Sequence, residues 1–255
     1  MAIDTSRPHI GRIYDFMLGG HHNYEIDRQA AAHILKVAPV YPKWARANRW
    51  FLQFVASEWD LAGRKQVLDL ATGLPTKGHF NDLMPGARIL FTDNDPISVA
   101  YGEEILGGNP AMAYRLADLG DPATIVRAAD DFFGPDHVVA IACIGIAYLV
   151  PDAVLSELMT KLYAWSAPGS VVALTFGHWL DTGDRGHVET ALAAFRRFAN
   201  TEIFMRSAEE IAALASPWRM TEVRTLPDWL GVPDMFTPEE LALLPAGMSG
   251  AFLER

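Results

Sequence analysis

The sequence lacks three features that would assign it to common classes of protein. Its single cysteine, Cys143, lies in the apolar run VVAIACIGIAYLV, so one chain can form neither a disulfide framework nor a thiolate metal site. No apolar run reaches the roughly 18 to 20 residues of a membrane span. The N-terminus, MAIDTSRPHIGRIYDF, lacks the basic-then-apolar order of a signal peptide. We therefore expect a cytoplasmic protein with no membrane partner.

Positive charge is also scarce. The 255 residues include 21 Lys and Arg against 31 Asp and Glu, a formal net charge of −10. Because binding to nucleic acid depends on clustered Lys and Arg, we expect no nucleic-acid partner. The chain is 50% hydrophobic and 20% charged, which is ample for a packed core. This length and composition favour one sizeable α/β domain.

The sequence pattern predicts helices first and then alternating strands and helices. Helices are predicted in PHIGRIYDFMLGG, EIDRQAAAHILKVA and KWARANRWFLQFVASEWDLAG. The predicted strands cover residues 66–71, 87–92, 111–116, 137–144 and 170–176. Helical or irregular segments are predicted between them, at 77–83, 96–106, 122–131 and 152–165. Two more helices are expected after GHWLDTGDRGH, followed by two antiparallel strands in WRMTEVRTLP and SGAFLER.

Short apolar strands separated by helices of this length indicate a mostly parallel, doubly wound α/β sheet. We predict a helical N-terminal cap over residues 1–63 and an α/β domain over residues 64–255, together one structural unit. Ligands of doubly wound sheets bind outside the carboxyl ends of the strands. The loops after the first four strands are therefore the candidate site.

The first of these loops, in VLDLATGLPT, resembles a nucleotide-binding loop with too few glycines. In the G-x-G-x-x-G pattern, glycines let the backbone approach a pyrophosphate, but here Ala71 takes the first glycine position and Pro75 follows Gly73. Asp69, inside the strand, would repel a pyrophosphate and attract an ammonium group. S-adenosylmethionine (SAM) has a nucleoside, an ammonium group and no phosphate. The candidate SAM-binding residues here are Asp69, Ala71, Thr72 and Gly73.

Acidic residues follow the second and third predicted strands. Asp93 comes twenty residues after Gly73, the separation of a carboxylate that binds ribose hydroxyls, with Asn94 beside it. Asp95, followed by proline, is read as the N-cap of the next helix. Asp118 is a candidate for the adenine amino group, alternatively a simple turn residue. The backbone N–H of Leu119 lies nearby, and Asp121 before Pro122 is a second N-cap.

The fourth loop follows the apolar run that contains Cys143. Residues 144–149 are expected to form the floor of the ligand site, with Ile144 as a cofactor contact. Tyr148 faces either the adenosine or the acceptor, or it is a core aromatic residue.

With its four loops in this order, the chain resembles a class I SAM-dependent methyltransferase. The segments RIYDFMLGGHHNYEIDR, ARANRWFL, DLATGLPT and TDNDP are similar to a narrower bacterial, mainly actinobacterial family, S-adenosyl methyltransferase. The resemblance is specific over residues 7–125. It implies a Rossmann-like methyltransferase sheet, SAM as the cofactor and S-adenosyl-L-homocysteine as the product.

The resemblance also implies a role for the N-terminal segment. A helical cap would close on the methionine end of SAM, with Arg12 pairing its carboxylate; the other candidate contacts are Tyr14, Gly19 and Asn23. Alternatively, Arg12 and Asp15, or Asp27 and Arg28, form surface ion pairs that contribute little, and Tyr14 belongs to the helix core. His21 and His22 have only one acid beside them, Glu25, so no metal site is expected.

Methyl transfer from a sulfonium needs orientation, and it needs a base only if the acceptor loses a proton. The candidate catalytic residues are His22, Tyr24, Tyr148 and His178, although a lone histidine such as His178 is more often a loop residue. Surplus aromatic residues suggest a flat, apolar acceptor, such as an indole, phenol or other secondary metabolite. They are Tyr41, Trp44, Trp50, Phe51, Trp179, Trp229 and Phe236.

Two other functions are compatible with parts of the pattern. A SAM-binding protein that does not methylate would use SAM in a rearrangement or as a sensor. An NAD-linked oxidoreductase would need the glycines that Ala71 and Pro75 replace. Assembly as a homodimer stays open at this stage.

Overall fold

Three helices precede the sheet in the computed structural model, which describes residues 6–74, 78–180, 185–243 and 245–255. They are α1 (Ile10–Met17), α2 (Glu25–Val37) and α3 (Tyr41–Leu61). Helix α1 ends just before Gly19, whose φ of +80° is the left-handed conformation expected of a glycine after a helix. Within the described residues, no helix is long and apolar enough to cross a membrane.

Seven strands form one sheet in the order β3-β2-β1-β4-β5-β7-β6. They are β1 (Gln66–Asp69), β2 (Arg88–Asp93), β3 (Met112–Leu116), β4 (Ala140–Cys143), β5 (Val171–Trp179), β6 (Arg219–Thr225) and β7 (Ala246–Glu254). Strands β1 to β5 are parallel, and β7 runs antiparallel to both β5 and β6. The predicted doubly wound, mostly parallel sheet is confirmed.

Helices lie between and after these strands. They are α4 (Phe80–Leu83), α5 (Pro96–Leu106), α6 (Pro122–Phe133), α7 (Asp152–Trp165), α8 (Arg185–Ala199), α9 (Ala208–Leu214), α10 (Leu226–Trp229) and α11 (Pro238–Leu243). The bounds of α5 and α7 are those predicted, whereas the two short helices α10 and α11 were not expected. The predicted strand 137–144 shrinks to β4, because the chain turns at Gly145, with φ of +82°, into a single 3₁₀ turn at Ala147–Leu149.

The apolar core lies on both faces of the sheet. On one face, Ile13, Ile34 and Phe51 of the N-terminal helices pack in a single cluster with Phe91 of β2. On the other face, Leu90 belongs to a cluster that contains the buried side of α7. Alternate residues of β2 therefore point to opposite faces, as strand geometry requires, and α1 to α3 cover one of these faces.

Asp27 fixes the conformation of the N-terminal helices. Its carboxylate is fully buried and accepts hydrogen bonds from Arg12 Nε (2.8 Å) and from the backbone N–H groups of His9 and Tyr24 (both 2.9 Å). The alternative surface pairs, Arg12 with Asp15 and Asp27 with Arg28, are not those observed: Arg12 pairs with Asp27 in the interior, and Arg28 pairs with Glu25 at the surface. The entry to α1, the loop before α2 and the start of α2 meet at this one carboxylate.

Removal of the Asp27 carboxylate should strongly destabilise the fold. Because Asp27→Ala leaves the Arg12 guanidinium buried without its partner, we expect a loss of roughly 3–5 kcal/mol in the free energy of unfolding, measured by urea denaturation. Glu25→Ala is the matched control, since its ion pair with Arg28 is exposed and should contribute less than about 1 kcal/mol. Similar losses in the two variants would contradict the role given to Asp27.

Candidate cofactor site

A cavity of about 360 Å³ lies at the carboxyl ends of the parallel strands, beneath α1 and α3. A volume of this size is within the range of sites for small molecules. Six predicted residues of the first two loops line it: Asp69, Ala71, Thr72, Gly73, Asp93 and Asn94. Four further predicted residues also line it: Tyr14, Leu119, Ile144 and Tyr148. The structure thus brings four loops and the N-terminal segment to one cavity.

The loop after β1 is held at Gly73. Its backbone N–H donates to Asp93 Oδ2 at 2.8 Å, and its carbonyl accepts from the hydroxyl of the buried Tyr114. Ala71, at the first glycine position, has a φ of +46°, so it adopts the left-handed backbone that glycine would adopt more easily. Pro75 and Thr76, the end of this motif, lie outside the described residues.

Asp93 and Asp95 have different roles in the structure. Besides its bond to Gly73, Asp93 accepts from the backbone N–H of Asp95 at 2.8 Å and lines the cavity. Burial raises the pKa of Asp93, and these two backbone N–H groups oppose that rise. Asp95 instead accepts from Ile97 N–H and from Ser98 Oγ, both at 3.1 Å, as the N-cap of α5. Asp121 stands at the corresponding position before α6 but makes no side-chain cap bond.

Two side chains of opposite charge in the wall of the cavity each have one buried atom without a hydrogen-bond partner. Asp69 is 3% exposed, and its Oδ2 has no hydrogen-bond partner. The buried Nη1 of Arg49 also has no hydrogen-bond partner. Burial raises the pKa of Asp69 to about 7, against the smaller opposing effects of Thr72 and Arg49. Since a buried polar group is normally hydrogen-bonded, this pair indicates a ligand with complementary charges.

His79 adds a third buried polar group beside Asp69. Its Nε2 lies 3.7 Å from Asp69 Oδ2, which is too far for a hydrogen bond. Burial, with a contribution from Arg49, lowers the pKa of His79 well below its usual value. The two groups are therefore not an ion pair near neutral pH, and the carboxylate stays available to a ligand.

Arg49 and His79 were not among the predicted site residues. Arg49 belongs to the quoted segment ARANRWFL, and its position on α3 is one helical turn after the buried Ala45 and one turn before the buried Leu52. A charged residue on an otherwise buried helical stripe is the signal that could have identified it. His79 precedes the short helix α4 and carries no comparable local signal.

Several predicted residues lie outside the cavity lining, and each has another contact. Arg12 donates to Asp27 and to the carbonyl of Arg7. Asn23 donates to Asp15 and to the carbonyl of Gly20. These bonds, with the left-handed Gly19, shape the loop between α1 and α2. The polar residues of this segment therefore bind one another in the structure.

The predicted catalytic histidines and Tyr24 also lie outside the lining. His22 is exposed and packs edge-on against Tyr101, and Tyr24 lies beneath the Arg12 guanidinium. On β5, Gly177 faces the side of the sheet covered by α3, so the next residue, His178, points to the opposite face, where it lies beside Phe176. The strand alternation thus directs His178 away from the cavity.

Asp118 is placed as a turn residue. It is exposed, and its Oδ1 accepts from the backbone N–H of Gly120 at 2.9 Å. Its neighbour Leu119 reaches the cavity instead. Among the residues that the structure describes, no three His, Cys, Asp or Glu side chains are grouped closely enough to hold a metal ion.

The sheet order and the cavity at the strand ends are typical of a SAM-dependent methyltransferase, and comparison with known proteins shows that class. Residues 1–227 match the family model described as S-adenosyl methyltransferase. The chain belongs to this family, and its cofactor is SAM. A search of curated proteins finds no match.

Two solved structures from actinobacteria are similar over nearly their whole length. A methyltransferase candidate from Thermobifida fusca is 27% identical, with a TM-score of 0.80, covering 99% of this chain and 97% of the other. A DUF574 family protein from Streptomyces avermitilis is 25% identical, with a TM-score of 0.84 and full coverage of both chains. Geranyl diphosphate C-methyltransferase from Streptomyces coelicolor, at 14% identity, a TM-score of 0.54 and 96% coverage of each chain, shares the fold alone.

Ionised Asp69 should destabilise the protein in the absence of SAM. Its pKa of about 7 in the folded state exceeds the value of about 4 expected in the unfolded chain. The folded state therefore holds the extra proton between these values, and stability falls as pH rises through that window. We expect Asp69→Asn to exceed the wild type in free energy of unfolding by roughly 2–4 kcal/mol at pH 8 and to lose this advantage near pH 4.

The control for this measurement is Asp118→Asn, which changes an exposed carboxylate of the third loop. Urea denaturation at both pH values should show no pH-dependent gain for it. A gain for Asp69→Asn that is the same at pH 4 and pH 8 would contradict a buried, titrating carboxylate.

Proposed function

We propose that this protein transfers the methyl group of SAM to a small aromatic acceptor, such as an indole or phenol of secondary metabolism, and releases S-adenosyl-L-homocysteine. The observation that carries the proposal is one cavity whose lining includes Asp69 and Arg49, each with one buried side-chain atom that lacks a hydrogen-bond partner, together with three tyrosines. In this proposal, residues 1–63 are the cap of one structural unit with residues 64–255.

The charged wall suits the amino-acid end of SAM. Arg49 would bind the carboxylate of the cofactor, and Asp69 would bind its ammonium group, so that each buried polar atom gains the partner it lacks. Arg49 takes the role that the sequence suggested for Arg12, because the Nε of Arg12 already donates to Asp27. His79, neutral beside Asp69, completes this part of the wall without competing for the carboxylate.

The loops after β1 and β2 suit the nucleoside. Asp93 lines the cavity, and each of its oxygens accepts one backbone N–H, so each can still accept a ribose hydroxyl. Leu119 and Ile144 offer apolar contacts for the adenine ring. Asp118 instead accepts a hydrogen bond from the backbone N–H of Gly120 through its Oδ1.

Tyrosines dominate the part of the cavity left for the acceptor. When bound, SAM supplies an electrophilic methyl group on a positively charged sulfur. Tyr14, Tyr41 and Tyr148 all line the cavity, and burial raises the pKa of each phenol. They therefore stay protonated, so Tyr148 would orient the acceptor and exclude water rather than remove a proton. Ring faces of this kind favour a flat, apolar partner.

The direct test is an assay for S-adenosylhomocysteine. The protein is incubated with methyl-labelled SAM and either phenol, indole or extracts of actinobacterial cultures, and labelled products are identified by mass spectrometry. A labelled aromatic product together with S-adenosylhomocysteine supports the proposal. Label found only on a non-aromatic acceptor contradicts the acceptor class. Bound SAM that is never converted would favour a SAM-binding protein that does not methylate.

Arg49 should be essential for cofactor affinity. Because Arg49→Met removes a charged hydrogen bond to the SAM carboxylate but keeps the aliphatic length, we expect the Kd for SAM to rise about 10- to 100-fold in calorimetric titration. Arg46→Met, at an exposed position of the same helix, is the matched control and should leave the Kd within about twofold. Unchanged affinity in Arg49→Met would remove this residue from the site.

Substitution of Asp93 should chiefly weaken SAM binding, whereas substitution of Asp95 should chiefly lower the stability of the fold. Asp93→Ala removes the proposed ribose contact and the acceptor for Gly73, so the Kd for SAM should rise at least about tenfold. Asp95→Ala removes an N-cap, which should lower the free energy of unfolding by about 1 kcal/mol with little change in Kd. Equal losses of affinity in both variants would show that these roles are assigned wrongly.

A further inference from the structure

A second, smaller cavity adjoins the first. Its volume is about 80 Å³, and Tyr41 and Tyr148 line both cavities, so these two side chains form the boundary between them. Helix α8 contributes Leu192 and Phe195 to the lining of the smaller cavity, and Met205 in the segment after α8 also lines it. Among the described residues of its lining, none is charged.

The walls of this small cavity are fixed by backbone contacts. Phe204 N–H donates to the carbonyl of Tyr148 at 2.8 Å, and Arg206 N–H donates to the carbonyl of Gly177 at 2.8 Å. A Cβ on Gly177 would lie 3.0 Å from the Met205 sulfur, so the glycine permits this close approach. The Arg206 side chain also donates to the carbonyls of Ala147 and Val150 on either side of Tyr148. The cavity is therefore a built feature of the fold.

The size and chemistry of the cavity restrict its occupant. An apolar cavity of ~150 Å³ holds benzene and stays dry when empty, so a cavity of about 80 Å³ suits a group smaller than an aromatic ring. Short alkyl groups combine this size with the apolar character of the walls. An occupant that enters from the main cavity must pass between Tyr41 and Tyr148, where the aromatic acceptor is proposed to lie.

We propose that the small cavity binds a short alkyl substituent of the acceptor, while the aromatic ring of the acceptor lies in the main cavity against Tyr41 and Tyr148. This inference rests on the proposed function and makes it more specific: the substrate class is an aromatic compound that carries an alkyl group of about two to four carbons. Ala191, Leu192 and Phe195 on α8 then determine specificity without contacting SAM.

Paired probes test this assignment. Phenol and 4-propylphenol are titrated calorimetrically into the protein saturated with S-adenosylhomocysteine, so that no turnover occurs. Each buried CH₂ contributes about fourfold in affinity, and we expect 4-propylphenol to bind at least about tenfold more tightly than phenol. Equal affinities, or no detectable binding of either probe, would overturn the alkyl-aromatic assignment.

Variants of α8 test whether the preference for 4-propylphenol comes from the small cavity or only from the greater hydrophobicity of this probe. Ala191 is 4% exposed and lines the small cavity, so Ala191→Leu should fill it and reduce the preference for 4-propylphenol to less than about threefold. Ala193→Leu, at an exposed position of the same helix, should keep the preference. A preference that survives Ala191→Leu would overturn the proposal.

An enlarged cavity provides the complementary test if the filled variant is unstable. Leu192→Ala should increase the affinity for 4-pentylphenol relative to 4-propylphenol by at least about fourfold, and no gain would overturn the proposal. SAM affinity, measured for each variant, should not change. Absence of methyl transfer by the wild-type protein to every aromatic acceptor would refute the proposed function, whereas transfer to aromatic acceptors without any alkyl preference would refute this inference alone.

Discussion

The hydrogen bond from Gly73 N–H to Asp93, 2.8 Å long, is the contact on which the site depends. It joins the loop after β1 to the end of β2, and the second oxygen of the same carboxylate accepts from Asp95 at the start of α5. Two loops and a helix thus take their positions from one buried acid. The cost of burying that acid is offset by the backbone N–H groups, which also shape the cavity.

The wall around Asp69 shows a different use of buried charge. Asp69, His79 and Arg49 each have one buried side-chain atom without a hydrogen-bond partner. Burial also raises the pKa of Asp69 and lowers that of His79. Buried polar atoms without partners are costly for a folded protein, and a ligand that supplies the missing partners would offset that cost. In the proposed function, the amino-acid end of SAM is that ligand.

Elements with local signals could be predicted from the sequence, and contacts set by tertiary structure could not. Helix α5 was placed correctly because Asp95 and Pro96 mark its start and Gly107 marks its end. Arg12 was expected to pair with the SAM carboxylate because the family resemblance gives the N-terminal segment a role in the site, yet its partner Asp27 is brought to it by the packing of α1 against α2. Successive residues of a strand point to opposite faces of the sheet, and the sequence alone does not specify whether the face of His178 is the one that carries the cavity.

The backbone conformation of Ala71 depends on residues that are distant from it in the sequence. Glycine visits the left-handed region freely in an unfolded chain, whereas alanine rarely does. A φ of +46° at Ala71 is therefore imposed by its surroundings: Tyr114 from β3 and Asp93 from β2 hold Gly73, two residues away. The loop has little tendency to adopt this conformation by itself, so its shape depends on its contacts with β2 and β3. A substitution in β2 or β3 can therefore alter this wall of the cavity without any change in the loop itself.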